Sequence, residues 1–307
     1  MSKGKVAVIG LAGQSAFLTA EHFPNPGETI SCSSLFFEPG GKGYNQAIAC
    51  ARMGVQTVFI GAVGDDAGGK ECRRALEREG ILTCLVKKKV PTAYAVITTI
   101  PDGENTVEVF SGAARELDVS DLYEEAIQKE LKECDYLLLQ NELSADCLKA
   151  SLELAKELNL PVILNPAPAD QIPAGFLSRC QLITPNYGEA CALAGFTDTD
   201  KPSEQELMEA FHKKNIKKAV ITLGGQGSLL IDETGYQKIP VFSYGTAVDT
   251  TGAGDTFNGT LTAGLALGET LENAVRLAAI AAGIGVTRKG AAGSIPQKDE
   301  VMKYFKQ

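Results

Sequence analysis

Histidine is nearly absent from this chain. Of 307 residues only His22 and His212 carry an imidazole, so chemistry that depends on a histidine cluster is hard to assemble. Basic residues are also in deficit: 29 Lys and Arg stand against 38 Asp and Glu, for a formal net charge of -9. Nucleic-acid binding relies on Lys and Arg neutralising phosphates, so nucleic acid is excluded as a main partner. A phosphorylated small molecule held by backbone N–H groups is not excluded. Long apolar runs are missing too, and none approaches a membrane span. The start, MSKGKVAVIG, lacks the apolar core and small-residue cleavage site of a secretory signal. The expectation is a cytoplasmic protein with no membrane partner. The 8 Cys include no C-x-x-C pair, which points away from a zinc site or disulfide framework and toward buried, reduced thiols. His212, within EAFHKKN, reads as solvated.

What is present is an ordinary globular composition, 44% hydrophobic and 22% charged. From about Cys134 onward, short apolar runs alternate with amphipathic helical ones. DYLLLQ precedes SADCLKASLELAKEL, PVILN precedes a helical AGFLSRC, QLITPN precedes YGEACALAG, and EQELMEAFHKK precedes AVITLG. This pattern predicts a parallel sheet covered by helices on both faces. KVAVIG and TVFIGAVG read as further buried strands. ETISCSSLFF and TAYAVITTIPDGENTVEVF instead alternate apolar and polar residues, with a turn at Asp102-Gly103. They predict a small antiparallel sheet that could act as a flap. Phe36, Phe37 and Val96 on it suggest a homodimer contact through that flap, or closure over a substrate.

Ligands of open α/β sheets bind beyond the carboxyl ends of the strands. Those ends carry Gln140, Asn141 and Glu142, then Asn165, Asn186, Thr222 and Gly224. Each alone starts a turn equally well; together they predict a polar cleft.

Ala247–Gly259 reads AVDTTGAGDTFNG, and Phe257, Leu261 and Leu265 follow on one helical face. Gly252-Ala253-Gly254 therefore opens a helix, whose free N–H groups and dipole favour an anion. Asp255, in the first turn, is placed to take a proton from an attacking hydroxyl. A plain first-turn acid has the same signature. A second glycine-rich stretch, PGGKGYNQAIACARMG, leads through Gly40, Gly41 and Gly43 into a helix bearing Lys42 and Asn45. A third, TLGGQGS, leaves a strand through Gly224, Gly225 and Gly227; it reads either as a phosphate approach or as a hairpin loop. GDDAGGK has P-loop spacing but places Asp65 and Asp66 inside the loop and Glu71 where Ser or Thr belongs, so it is rejected. VIGLAGQS lacks the glycine order of a dinucleotide site.

GGKGYNQAIACARMG and DTTGAGDTFNG resemble the two signatures of the ribokinase-like sugar kinases, the phosphofructokinase-B family. FPNPGET, LNPAPA, TPNYGEA, ITLGGQGS and VTRKGAAGSIP extend the resemblance over the chain. It implies one kinase domain over residues 1–307, α/β with a three-layer α/β/α arrangement, a mainly parallel central sheet and a small β-sheet lid from about 12–40 and 91–111. It implies an ATP-dependent kinase acting on a hydroxyl of a sugar or sugar-like molecule, with Mg2+ and a monovalent cation such as K+. By the same resemblance Asp255 is the base, and the amides of Gly252, Ala253 and Gly254 form the anion hole. Gly41, Lys42, Asn45 and Glu142 face the sugar, as do positions 13 and 15. Asn186, Thr222, Gly224 and Gly227 line the ATP site, and Glu189 organises magnesium indirectly. Asp249, Thr251, Arg288, Gly290 and Ser294 surround the monovalent cation, mostly through carbonyls.

The chain departs from the family at one place. Where the family carries Asn and Asp after the first strand, GLAGQS offers Gly13 and Ser15. Loss of such a carboxylate costs about 1–3 kcal/mol of sugar binding; Gln14 is the neighbouring candidate to compensate. A nucleoside kinase of the same fold, and a sugar- or nucleoside-binding protein with little catalysis, are therefore carried as alternatives.

Overall fold

A computed structural model describes residues 4–102, 104–170, 172, 175–197 and 199–306. The strands are β1 (Lys5–Ile9), β2 (Gly13–Thr19), β3 (Ser34–Gly40), β4 (Gln56–Gly64), β5 (Leu82–Lys88), β6 (Ala93–Thr99), β7 (Asn105–Phe110), β8 (Tyr136–Gln140), β9 (Val162–Asn165), β10 (Leu182–Ile183), β11 (Ala219–Thr222), β12 (Ser228–Asp232) and β13 (Gly235–Ile239). The helices are α1 (Lys42–Arg52), α2 (Ala67–Arg78), α3 (Val119–Leu122), α4 (Glu125–Lys132), α5 (Ala145–Glu157), α6 (Tyr187–Ala194), α7 (Glu204–Lys213), α8 (Ala253–Ala266), α9 (Leu271–Gly285) and α10 (Lys298–Phe305).

A nine-stranded sheet runs β13-β12-β11-β10-β9-β8-β1-β4-β5. From β11 to β5 every pairing is parallel, while β12 and β13 close one edge as antiparallel strands. Successive β1 residues feed different cores. Val6 and Val8 pack in a cluster with residues of α1, α2, α8, α9 and α10. Ala7 and Ile9 join one built from α3 through α7. Two apolar cores, one on each face, make the α/β/α layering that the unbroken apolar strands predict.

The second sheet has four strands in the order β3-β2-β6-β7. The expectation of an antiparallel sheet is corrected: β2 and β6 pair in parallel, between antiparallel β2–β3 and β6–β7 pairs. Alternating polarity reports which face is buried and carries no information on strand direction. Strand β3 also starts only at Ser34, so Glu28–Ser33 of ETISCSSLFF is not strand. The expected turn at Asp102-Gly103 includes Gly103, which lies outside the described residues. AGFLSRC shows one 3-10 turn, Leu177–Arg179, rather than a helix; its Ala174 lies outside the described residues. His212 is half-buried, with Nε2 3.0 Å from the Asp232 carbonyl. Cys50, Cys72, Cys147 and Cys191 are buried free thiols, but Cys32 is exposed. Phe36 and Phe37 are exposed and Val96 half-buried. No helix among the described residues is long and apolar enough to cross a membrane.

Candidate active site

The carboxyl ends of the parallel strands and the starts of α1 and α8 converge. Helix α1 begins after Gly41, whose φ of 111° only glycine adopts comfortably; a Cβ there would meet Leu11. This entry turns Lys42, Asn45 and Gln46 toward α8. The two helices pack so closely that a Cβ on Gly259 would collide with the Gln46 carbonyl.

Asp255 sits at that contact. Its Oδ2 accepts from Asn45 Nδ2 at 2.9 Å and its Oδ1 from Gln46 Nε2 at 3.0 Å. Burial pushes the Asp255 carboxyl above the ordinary range; the Lys42 charge and the two amide donors oppose the rise. Gln46 also donates to Asn165 Oδ1 at 3.1 Å and accepts from Gln140 Nε2 at 2.7 Å. Asn165 donates in turn to the Thr184 carbonyl. Two of the polar strand ends, Gln140 and Asn165, thus join one buried network that orients the acid, whereas Asn141 turns to the Pro168 and Asp170 carbonyls. Gln46 was not among the expected site residues. Its signal was a fully buried-type position carrying an amide directly after Asn45, which reads as ordinary helix until the packing of α8 is known.

Around this centre, Glu142 Oε2 accepts the Lys42 N–H at 3.0 Å. Burial pushes the Glu142 carboxyl up to about 7, against the pull of Lys42. For Lys42 burial acts downward, but Asp255, Glu142 and Glu189 together hold its ammonium above its ordinary value. Asn45 Oδ1 is buried without a hydrogen-bond partner among the described residues, an acceptor that suits a hydroxyl donor.

Helix α8 is capped by Gly252 at φ 74°, with no side-chain cap. The expectation of free amides at Gly252, Ala253 and Gly254 is corrected at Ala253. Ala253 N–H donates to the Thr250 carbonyl at 3.2 Å. The amides of Gly252, Gly254 and Asp255 donate to no protein acceptor among the described residues. Two cavities meet at this helix start. One of about 810 Å³ is lined by Asn186, Thr222, Gly224, Gly227, Ala253 and Gly254. The other, about 200 Å³, is lined by Gly13, Ser15, Lys42, Asn45, Gly252 and Asp255. TLGGQGS is the hairpin loop between antiparallel β11 and β12, and it also lines the larger cavity.

Asn186 and Glu189 form a reciprocal capping box at the start of α6, with two bonds of 2.8 Å. Burial raises the Glu189 carboxyl, and both Lys42 and Asp255 act on it, so it lies within electrostatic reach of the centre. Asp249 joins two loops: Oδ1 accepts from Thr251 N–H and Oδ2 from Gly290 N–H, each at 2.9 Å. Burial acts to raise its carboxyl, but these donors hold it below the ordinary range. Ser294 Oγ donates to the Ala291 carbonyl at 2.8 Å. The Arg288 guanidinium pairs with Glu300, which directs that side chain to α10. Gln14 lines the smaller cavity, with its amide nitrogen turned to the Gly68 carbonyl and Cys72 Sγ. In the rejected P-loop stretch, Asp66 caps α2 and binds Thr92.

Residues 3–298 match the profile of the family described as pfkB family carbohydrate kinase. A ribokinase of Haemophilus influenzae is 34% identical over 302 residues, 98% of each chain. Among solved structures, a ribokinase of Thermotoga maritima has a TM-score of 0.89 at 34% identity, covering 98% of this chain and 99% of its own. A ribokinase of Arabidopsis thaliana complexed with ribose and ATP has a TM-score of 0.89 at 29% identity, covering 100% of both chains.

Proposed function

Because the chain belongs to the pfkB family of carbohydrate kinases, we propose that ATP occupies the larger cavity, a sugar-like acceptor the smaller one, and that Asp255 removes the acceptor's proton. The overall activity is ATP-dependent phosphoryl transfer to an alcohol group. The observation that carries the residue assignments is the start of α8, where unengaged amides and an enclosed acid lie between two cavities.

In this reading the raised Asp255 carboxylate accepts the hydroxyl proton as that oxygen attacks. The amides of Gly252 and Gly254 donate toward charge building on the transferring phosphoryl group. Lys42, Asn45, Gly41 and Glu142 orient the acceptor, and Asn186, Thr222, Gly224 and Gly227 hold the nucleotide. Glu189 fits an indirect magnesium role, since one carboxylate beside phosphates suits an ion that keeps most of its waters. Magnesium, when bound, neutralises charge on the phosphates. The Asp249–Thr251 and Arg288–Ser294 loops, stitched through Asp249, suit a potassium seat of backbone carbonyls.

We read residues 1–307 as one kinase domain whose four-stranded sheet closes as a lid and keeps water from the reaction. The buried free thiols suit a reducing, cytoplasmic setting. The exposed Phe37 and Leu35, 59% and 55% accessible, suit lid-to-lid pairing of two copies. Sedimentation at micromolar concentration should then give a dimer, and a purely monomeric profile removes that assignment.

The relatives named above are ribokinases, but Gly13 and Ser15 take away two expected sugar contacts. A specific observation favours a nucleoside as second reading. Phe17 and Phe36 stack with centroids 4.6 Å apart, and Phe17, Ile97, Val107 and Val109 line the acceptor cavity. A flat apolar substituent would find partners there. An ATP-consumption assay with D-ribose, 2-deoxy-D-ribose, D-fructose, adenosine and uridine decides. Turnover with at least one is expected. Tight binding with no turnover of any would leave only the binding-protein alternative.

A further inference from the structure

Position 15 carries a hydroxyl where the family pattern has a carboxylate, yet a carboxylate stands directly across the strand pair. Ser15 of β2 is in register with Glu38 of β3, so both side chains leave the sheet on the same face. Both line the cavity that contains Lys42, Asn45 and Asp255. Glu38 is half-buried. Its Oε1 accepts the Ala291 N–H at 3.0 Å. Its Oε2 lies against Gly290 and accepts no hydrogen bond among the described residues. That oxygen stays open to the cavity, where an acceptor hydroxyl can take the place of water as its donor. Burial and the nearby Asp249 charge do push the Glu38 carboxyl up, against the Ala291 bond. Much of the neighbouring wall, Phe17, Ala95, Ile97, Val107 and Val109, is apolar, and the polar side chains of the cavity, Ser15 among them, make no bond to Oε2 among the described residues.

We propose that Glu38 is a specificity-determining residue that accepts a hydrogen bond from an acceptor hydroxyl, taking over from β3 the carboxylate role that position 15 has in related kinases. The inference rests on the reading of this cavity as the acceptor site. Moving the acid by one strand shifts it by ~4.8 Å, toward the Gly290–Ala291 loop. The favoured acceptor is therefore a polyol with a hydroxyl directed at that loop rather than at β2.

The test uses the acceptor that the wild type turns over fastest in the panel, with D-ribose as second probe. Steady-state kinetics and calorimetric titration compare the wild type with Glu38→Gln, Glu38→Ala, Asn45→Ala and the double variant Ser15→Asp/Glu38→Ala. Glu38→Gln keeps the size and can still accept from Ala291. It should raise KM and Kd for the acceptor ~10–100-fold with kcat changed less than about threefold. The double variant should recover D-ribose kcat/KM by about 10-fold or more over Glu38→Ala, since the acid returns to β2. Glu38→Gln with KM and Kd within about twofold of wild type overturns the proposal. So does a fall in kcat alone, which would make Glu38 only a strap to the Ala291 loop. Asn45→Ala separates the two levels. If it raises KM while Glu38→Gln does not, only the Glu38 role fails. If neither variant moves KM, the acceptor-site reading itself fails.

Discussion

Asp255→Asn should lower kcat by about 10²–10⁴-fold while ATP still binds. The substitution preserves size at the α1–α8 contact but removes the basic oxygen. It also leaves one of the two donors, Asn45 Nδ2 or Gln46 Nε2, facing an amide NH2 instead of an oxygen. Nucleotide binding is expected to survive because Thr222, Gly224 and Gly227 line the larger cavity, whereas Asp255 lines the smaller one. Rapid-quench kinetics and nucleotide titration on the same preparation read both quantities. Turnover within about threefold of wild type would remove the base assignment. The pH profile gives an independent reading. Burial raises the Asp255 carboxyl, so activity should fall on the acid side as this group becomes protonated. Gln46 favours the ionised form; Gln46→Leu should therefore raise that carboxyl further and move the acid limb to higher pH. An unmoved limb in a folded Gln46→Leu protein would mean that the titrating group is not Asp255.

The second large effect is expected at Gly252→Ala. Gly252 holds φ 74° at the cap of α8, and an added Cβ would lie 3.0 Å from Ala291 Cα and 3.2 Å from Ala291 Cβ. The backbone must rotate to relieve this, which re-aims the Gly252 amide and the helix start that follows it. Loss of anion-hole donors of this kind costs about 10²–10³-fold in kcat. Strain in the left-handed region adds about 1–2 kcal/mol of destabilisation. Gly254 has nothing within 4 Å of an added Cβ, so Gly254→Ala should leave the Tm essentially unchanged. Equal kcat for Gly252→Ala and wild type, at matched Tm, would argue that the helix start does not face the transferring group.

Much of this site was legible because glycine and charge patterns are local. Gly41 and Gly252 announce backbone turns that other residues strain to make, and each precedes a helical apolar stripe. The apolar strands β1, β8 and β9 announce burial on both faces. Other features had no local signature. Gln46 meets Asp255 across 209 positions of sequence. Glu38 faces Ser15 only once β2 and β3 pair in register. The Ala253 amide is withdrawn by a turn to Thr250 that the GAG pattern does not reveal.

By itself the amino-acid order determined the layered α/β architecture, the two glycine-led helix starts and the single acid in the second of them. Hydrophobic period and backbone freedom act over a few residues, so they can be read along the chain. Tertiary structure alone decided that β2 and β6 run parallel, that an amide network orients Asp255, and that a carboxylate missing from one strand stands on the next. Those outcomes depend on which distant surfaces exclude water together, and burial of that kind is a property of the assembled fold.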